Sequence, residues 1–212
     1  MACQTVGARK TVVTNLLILA AIAAVCFLSF QADVLKGLSM AVNAPVFAGS
    51  AGKGAVALEI ALCVQDDARA CMRALRAQGA GAALFACPAL LRKDAGLLES
   101  MEEAGFEAGV YDCGKHAPEG GFPEGRPLLC DYGSDANLFA AFSQNRRVCW
   151  TLDADLLIAA DGTGKAFADA LREGAIVLHR FRDVSGLEAV VARMRAKGYT
   201  ITGVNSIAPP AP

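Results

Sequence analysis

Residues 75–116 constrain the fold more than any other part of the chain. They read LRAQGAGAALFACPALLRKDAGLLESMEEAGFEAGVYDCGKH. A helix ends at Gln78-Gly79, and a short apolar run follows over 82–86. A second helix carries Leu90, Leu91, Leu97, Leu98 and Met101. Gly105 ends it, and 106–112 begins another extended run. Glycine at both helix exits suits the left-handed residue that closes many helices. Strand, helix, strand in this order predicts a parallel sheet wrapped by helices.

The rest of the chain extends that alternation. Strands are predicted at 55–62 (AVALEIAL), 82–86, 106–112, 127–131, 147–153, 175–180 and 199–204. Helices are predicted at 66–78, 134–145 and 165–173, with a Pro/Gly-rich loop over 116–126. The last helix has Leu187, Val190, Val191 and Met194 on one face, Gly198 at its exit, and a capping-box pattern at Ser185 and Glu188. Seven strands alternating with helices suit an incomplete parallel barrel. The first strand is not followed by the glycine fingerprint of a dinucleotide site.

The N-terminus is organised differently. Residues 11–30 carry no charge, and Arg9 and Lys10 precede them. About 20 apolar residues suffice to cross a bilayer as a helix. Basic residues ahead of the span predict a cytoplasmic N-terminus with the domain outside. A cleaved signal peptide is the competing reading, but cleavage after Ala32 would place Phe30 where a small residue is wanted. Residues 31–54 then read as a linker and 208–212 as a tail. The glycine-rich run from Gly49 to Gly54 precedes a strand and lacks the hydroxyl of a phosphate loop.

Composition excludes some partners. A net charge of −1 supplies no basic stripe for nucleic acid. The eight cysteines form no C-x-x-C pair and show no zinc-ligand spacing. Cys63, Cys87, Cys113, Cys130 and Cys149 fall near strand ends, which a parallel barrel gathers at one mouth. Free cysteine packs well as a small apolar side chain. Export would permit disulfides, but the sequence does not pair them.

Several motifs, in order, resemble the polysaccharide deacetylase (NodB-homology) family over roughly 55–207. The stretch around Phe85, Gly105 and Gly109 is similar to that family's second and third strands. Cys130-Asp131-Tyr132-Gly133 stands where the family has Arg-Pro-Pro-Tyr-Gly. Val148 to Asp153 resembles its V-x-W-x-x-D strand, Gly174 to His179 its G-x-I-x-L-x-H strand, and Gly198-Tyr199 its closing turn. Anchor, linker and domain together look like sporulation-type members from Gram-positive bacteria. The resemblance implies an incomplete (β/α)7 barrel. It also implies metal-assisted hydrolysis of N-acetyl groups on sugars, with an aspartate and two histidines holding a divalent metal, a second aspartate as base and a late histidine as acid.

The matching positions depart from that chemistry. The base position is Ala61 and the metal aspartate position is Leu62, with Glu59 the nearest carboxylate on the same strand. The histidine positions are Tyr111 and Lys115; His116 is one residue out of register, and Asp112 is the other candidate ligand. His179 is the late histidine only across a one-residue deletion; otherwise Arg180 takes that place and His179 faces the other side. The family's helix between its third and fourth strands is missing.

The expectation is therefore a membrane-anchored, degenerate member without metal or other cofactor, binding glycan or scaffolding at the cell envelope. Tyr111, Tyr132 and Trp150 are candidates for stacking on a sugar ring. The alternative is an active hydrolase with zinc or another divalent metal at a rearranged site drawn from Glu59, Asp112, His116, Asp131, Asp153 and His179. A third reading is a purely structural envelope protein.

Overall fold

The computed structural model describes Val46, Ala48, Gly49 and residues 54–112, 125–130 and 147–208. The expected membrane span, His116, Asp131, Tyr132 and the helix expected over 134–145 lie outside the described residues. Among the described residues, no helix is long and apolar enough to cross a membrane.

The order is β1 (Ala55–Leu62), α1 (Ala68–Ala77), β2 (Ala83–Ala86), α2 (Pro88–Lys93), α3 (Leu97–Glu103), β3 (Glu107–Asp112), β4 (Leu128–Cys130), β5 (Arg147–Val148), β6 (Leu152–Asp153), α4 (Ala154–Asp161), α5 (Lys165–Ala170), β7 (Ile176–Arg180), α6 (Val184–Ala196), β8 (Thr200–Thr202) and α7 (Val204–Ile207). The strands join one sheet in the order β5-β4-β3-β2-β1-β7-β6, with β8 also on β1. Every pairing is parallel. β1 is apolar apart from Glu59 and buried throughout, as a strand covered on both faces requires.

Chain geometry forces the sheet to curl. Six gaps of about 4.8 Å would set β5 and β6 about 29 Å apart if the sheet were flat. Yet only Cys149, Trp150 and Thr151 separate them in the chain. From Val148 to Leu152 the backbone reaches about 14 Å at most. The two edges therefore approach each other, and the sheet is a half-barrel with a seam. Cys149 N–H donates to the Val46 carbonyl and Thr151 N–H to that of Ile176, both at 2.8 Å. Val46 forms a bridge with Val148, and Gly49 N–H donates to Gly174. Part of the stretch read as linker is thus built into the wall.

The local rules hold at most element ends. Asp67 caps α1, its Oδ1 accepting from Ala70 N at 2.9 Å. Cys71, Met72 and Leu75 form the buried face of α1. Gly105 and Gly198 turn with φ of 86° and 81°.

Four expectations need correction. The strand expected over 147–153 is two strands at opposite edges of the sheet, so there are eight strands among the described residues rather than seven. The break is needed to cross the seam. The helix expected from Leu90 to Met101 divides at Asp94, which leaves helical geometry at φ −136°. The last helix is capped by Asp183 rather than Ser185, because the Asp183 carboxylate accepts from both Gly186 N and Ser185 Oγ at 2.8 Å. Helix α4 was not anticipated, although Asp153 at its start and Gly162 (φ 64°) at its exit bracket it.

Candidate functional site

Strand register decides which side chains share a face. Ala61 lies beside Phe85 on one side and Arg180 on the other. Phe85 lies beside Gly109, and Tyr111 beside Leu129. Alternation puts these residues and Glu59 on the inward face. Ile60 is the partner of His179. His179 therefore belongs to the opposite face, where Asp155 of α4 meets it and α6 passes close by. Its Cε1 lies 3.9 Å from the point where a Cβ on Gly186 would stand.

The candidate residues occupy different environments. Glu59 is fully buried in the middle of β1, between Ala83 and Leu178. Tyr111 is buried in the inward core, so its ring is not a surface platform. Asp112 is buried at the end of β3, on the face opposite Tyr111. In the sheet order, β2, β1 and β7 lie between it and β6 with Asp153. Trp150 is half-buried in the seam and packs on the core.

Asp153 and His179 do come together, through Arg180, the in-register residue at the late-histidine position, and Asp155, which the sequence did not single out. Asp153 Oδ1 caps α4 by accepting from Leu156 N at 3.0 Å, and its Oδ2 accepts from Arg180 Nη1 at 2.7 Å. Asp155, two residues on, accepts from Arg180 N at 2.7 Å and lies 2.8 Å from His179 Nδ1. The Arg180 guanidinium also stands 5.9 Å from the Trp150 ring centroid, in cation–π range. His179 Nε2 is buried and has no hydrogen-bond partner among the described residues. The available signal was the Asp153-x-Asp155 spacing at a helix start, which puts one carboxylate on the cap and the next in the first turn.

Burial pushes the Asp155 carboxyl up, but the hydrogen bond and charge of His179, the Arg180 N–H and the Arg180 guanidinium outweigh it. The result lies below the ordinary carboxylate value. A folded value below the unfolded one stabilises the fold above the unfolded pKa of about 4 and is lost as pH falls through the folded value. Asp155→Asn is expected to flatten the loss of melting temperature between about pH 5 and pH 3 relative to the parent chain. An unchanged acid limb would show that Asp155 carries none of it.

No protein-family model matches the sequence. No curated protein matches it significantly either. Solved structures do match. A peptidoglycan N-acetylglucosamine deacetylase is 16% identical, with a TM-score of 0.61 over 80% of this chain and 94% of that one. The chitin deacetylase of the fungal pathogen Colletotrichum lindemuthianum is 17% identical, with a TM-score of 0.60 over 81% and 94%. A family 4 carbohydrate esterase pseudoenzyme from Bacillus anthracis is 16% identical, with a TM-score of 0.58 over 78% and 69%.

The fold is that of the polysaccharide deacetylases.

The end of β1 does not fit the divalent metal that this fold implies. Ala61 and Leu62 are buried hydrocarbon side chains with no donor atom. The inward neighbour of Ala61 is Arg180, a permanent cation that repels a second positive charge. Among the described residues, no three His, Cys, Asp or Glu side chains gather as a metal-holding group.

Proposed function

We propose that the chain is a non-catalytic protein of the polysaccharide deacetylase fold. Residues 11–30 anchor it in the membrane, and its domain binds glycan or scaffolds partners at the cell envelope. The arrangement parallels sporulation-type anchored members. One observation carries the loss of catalysis: β1 ends in Ala61-Leu62 beside the Arg180–Asp153 ion pair. Base and metal ligand are replaced by hydrocarbon, and the adjoining space holds a neutralised cation. General acid–base assistance is typically worth about 10²–10⁴-fold, so losing the base alone is severe. The glycan assignment draws support from the neighbours, whose names specify peptidoglycan and chitin deacetylases. Of the candidate aromatics, half-buried Trp150 is the one we assign to the sugar contact.

The rearranged-site hydrolase has one observation in its favour, the Asp155–His179 pair with its open Nε2. That pair lies on the helix side of the sheet, away from the inward face.

Metal analysis of the dialysed full chain, together with acetate release from chitin oligomers and peptidoglycan, tests the proposal. Expected are no stoichiometric zinc or cobalt, no acetate above a heat-denatured control, and retention on insoluble glycan that Trp150→Ala weakens. One metal per chain with acetate release lost on His116→Ala or His179→Ala would promote the hydrolase. No retention on either glycan would leave the structural reading.

A further inference from the structure

Cys63 and Cys87 close two neighbouring strands. Leu62 and Ala86 are the last register partners of β1 and β2. That pair is held by the bond from Cys87 N–H to the Leu62 carbonyl at 2.9 Å. Extending the same register by one residue sets Cys63 opposite Cys87. Adjacent strands lie about 4.8 Å apart, inside the Cα separation of about 4.4–6.8 Å that a disulfide spans. Alternation sends both side chains the same way, because Cys63 follows Ala61 by two residues and Cys87 follows Phe85 by two. Cys63 opens a turn closed by Asp66 N–H at 3.0 Å, and Cys87 is the extended residue ahead of α2 (φ −68°, ψ 153°). Both side chains are thiols in this structure.

We propose that Cys63 and Cys87 form a redox pair that closes to a cross-strand disulfide by exchange with a small disulfide such as oxidised glutathione. The proposal is independent of the glycan reading. Half-buried Cys63 is the point of entry, and Cys87, 5% exposed, resolves from within. The Cys63 thiolate attacks one sulfur of the reagent, whose S–S bond breaks and releases one glutathione thiolate with the electron pair. The Cys87 thiolate then attacks the Cys63 sulfur and expels the second glutathione. Two protein thiols lose two electrons, the reagent gains them, and the two protons end on the two glutathione thiols. Exchange runs through the thiolate. This sets Cys71 apart: burial first, then the charges of Asp66 and Asp67, push its thiol up to about 12.

The test is peptide mapping of the full chain after incubation with oxidised glutathione, alkylation and digestion without reduction. The expected product is a Cys63–Cys87 pair in most chains, with Cys71 alkylated. Cys87→Ser should trap glutathione on Cys63, and Cys63→Ser should leave Cys87 a thiol. The parent map decides alone if a variant fails to fold. A folded parent chain that yields a lasting glutathione adduct on Cys63, no pair, or Cys63 joined to another cysteine would overturn the proposal.

Discussion

Gly109→Val is expected to lower the stability of the domain by about 3 kcal/mol or more, enough to threaten folding of a chain whose total is typically about 5–15 kcal/mol. A Cβ built on Gly109 would lie 2.6 Å from Phe85 Cδ1, Cε1 and the Pro127 carbonyl oxygen. Rotating a side chain does not relieve this, because Cβ position is fixed by the backbone. Phe85 is 1% exposed and closely surrounded, so its ring has little space to enter. Pro127 O is also engaged, accepting from Val110 N at 3.0 Å in the link between β3 and β4. Gly109→Ala should already show most of the loss in a urea titration. Gly96→Ala is the control, since a Cβ there meets nothing within 4 Å. Phe85→Leu combined with Gly109→Ala should lose less than the sum of the two single changes, because the clash with the ring is shared. A urea midpoint for Gly109→Ala equal to that of the parent would refute the packing argument.

The same glycine marks what the sequence made legible. Phe85 and Gly109 belong to the pattern that identified the second and third strands, and register places them side by side. Strand order along β1, β2 and β3 follows from alternation with glycine exits, because each helix returns the chain to the next parallel strand. The seam did not follow from it. Residues 147–153 read as one extended run, and nothing local says that Val148 and Leu152 sit at opposite edges. That outcome is a closure property of the whole sheet. The site shows a similar division. The lack of a donor atom at Ala61 and Leu62 was readable, since side-chain chemistry needs no geometry. The Asp153–Arg180–Asp155–His179 cluster was not, because it depends on α4, whose apolar residues show no clear amphipathic stripe. Leu156 on that helix is 67% exposed, which defeats a reading based on burial.

Arg180→Leu has the second large effect, a loss of about 2–4 kcal/mol. Breaking a buried pair by removing one partner typically costs about 3–5 kcal/mol. Here the guanidinium is 30% exposed, so solvent screening reduces the figure. The stranded partner is Asp153, whose side chain is 8% exposed. It would keep only the Leu156 N–H that caps α4. Asp155 suffers less, because the Arg180 backbone N–H and His179 still hold it and its contact with the guanidinium is longer, at 3.8 Å. A double-mutant cycle separates charge from packing. Adding Asp153→Asn to Arg180→Leu removes the stranded charge while leaving an oxygen to cap α4, so the double variant should recover part of the loss. Urea midpoints of the four chains at neutral pH measure the coupling. If the two substitutions add without coupling, Arg180 acts only through its stem and its stack on Trp150, and the ion pair contributes nothing to the mouth of the sheet.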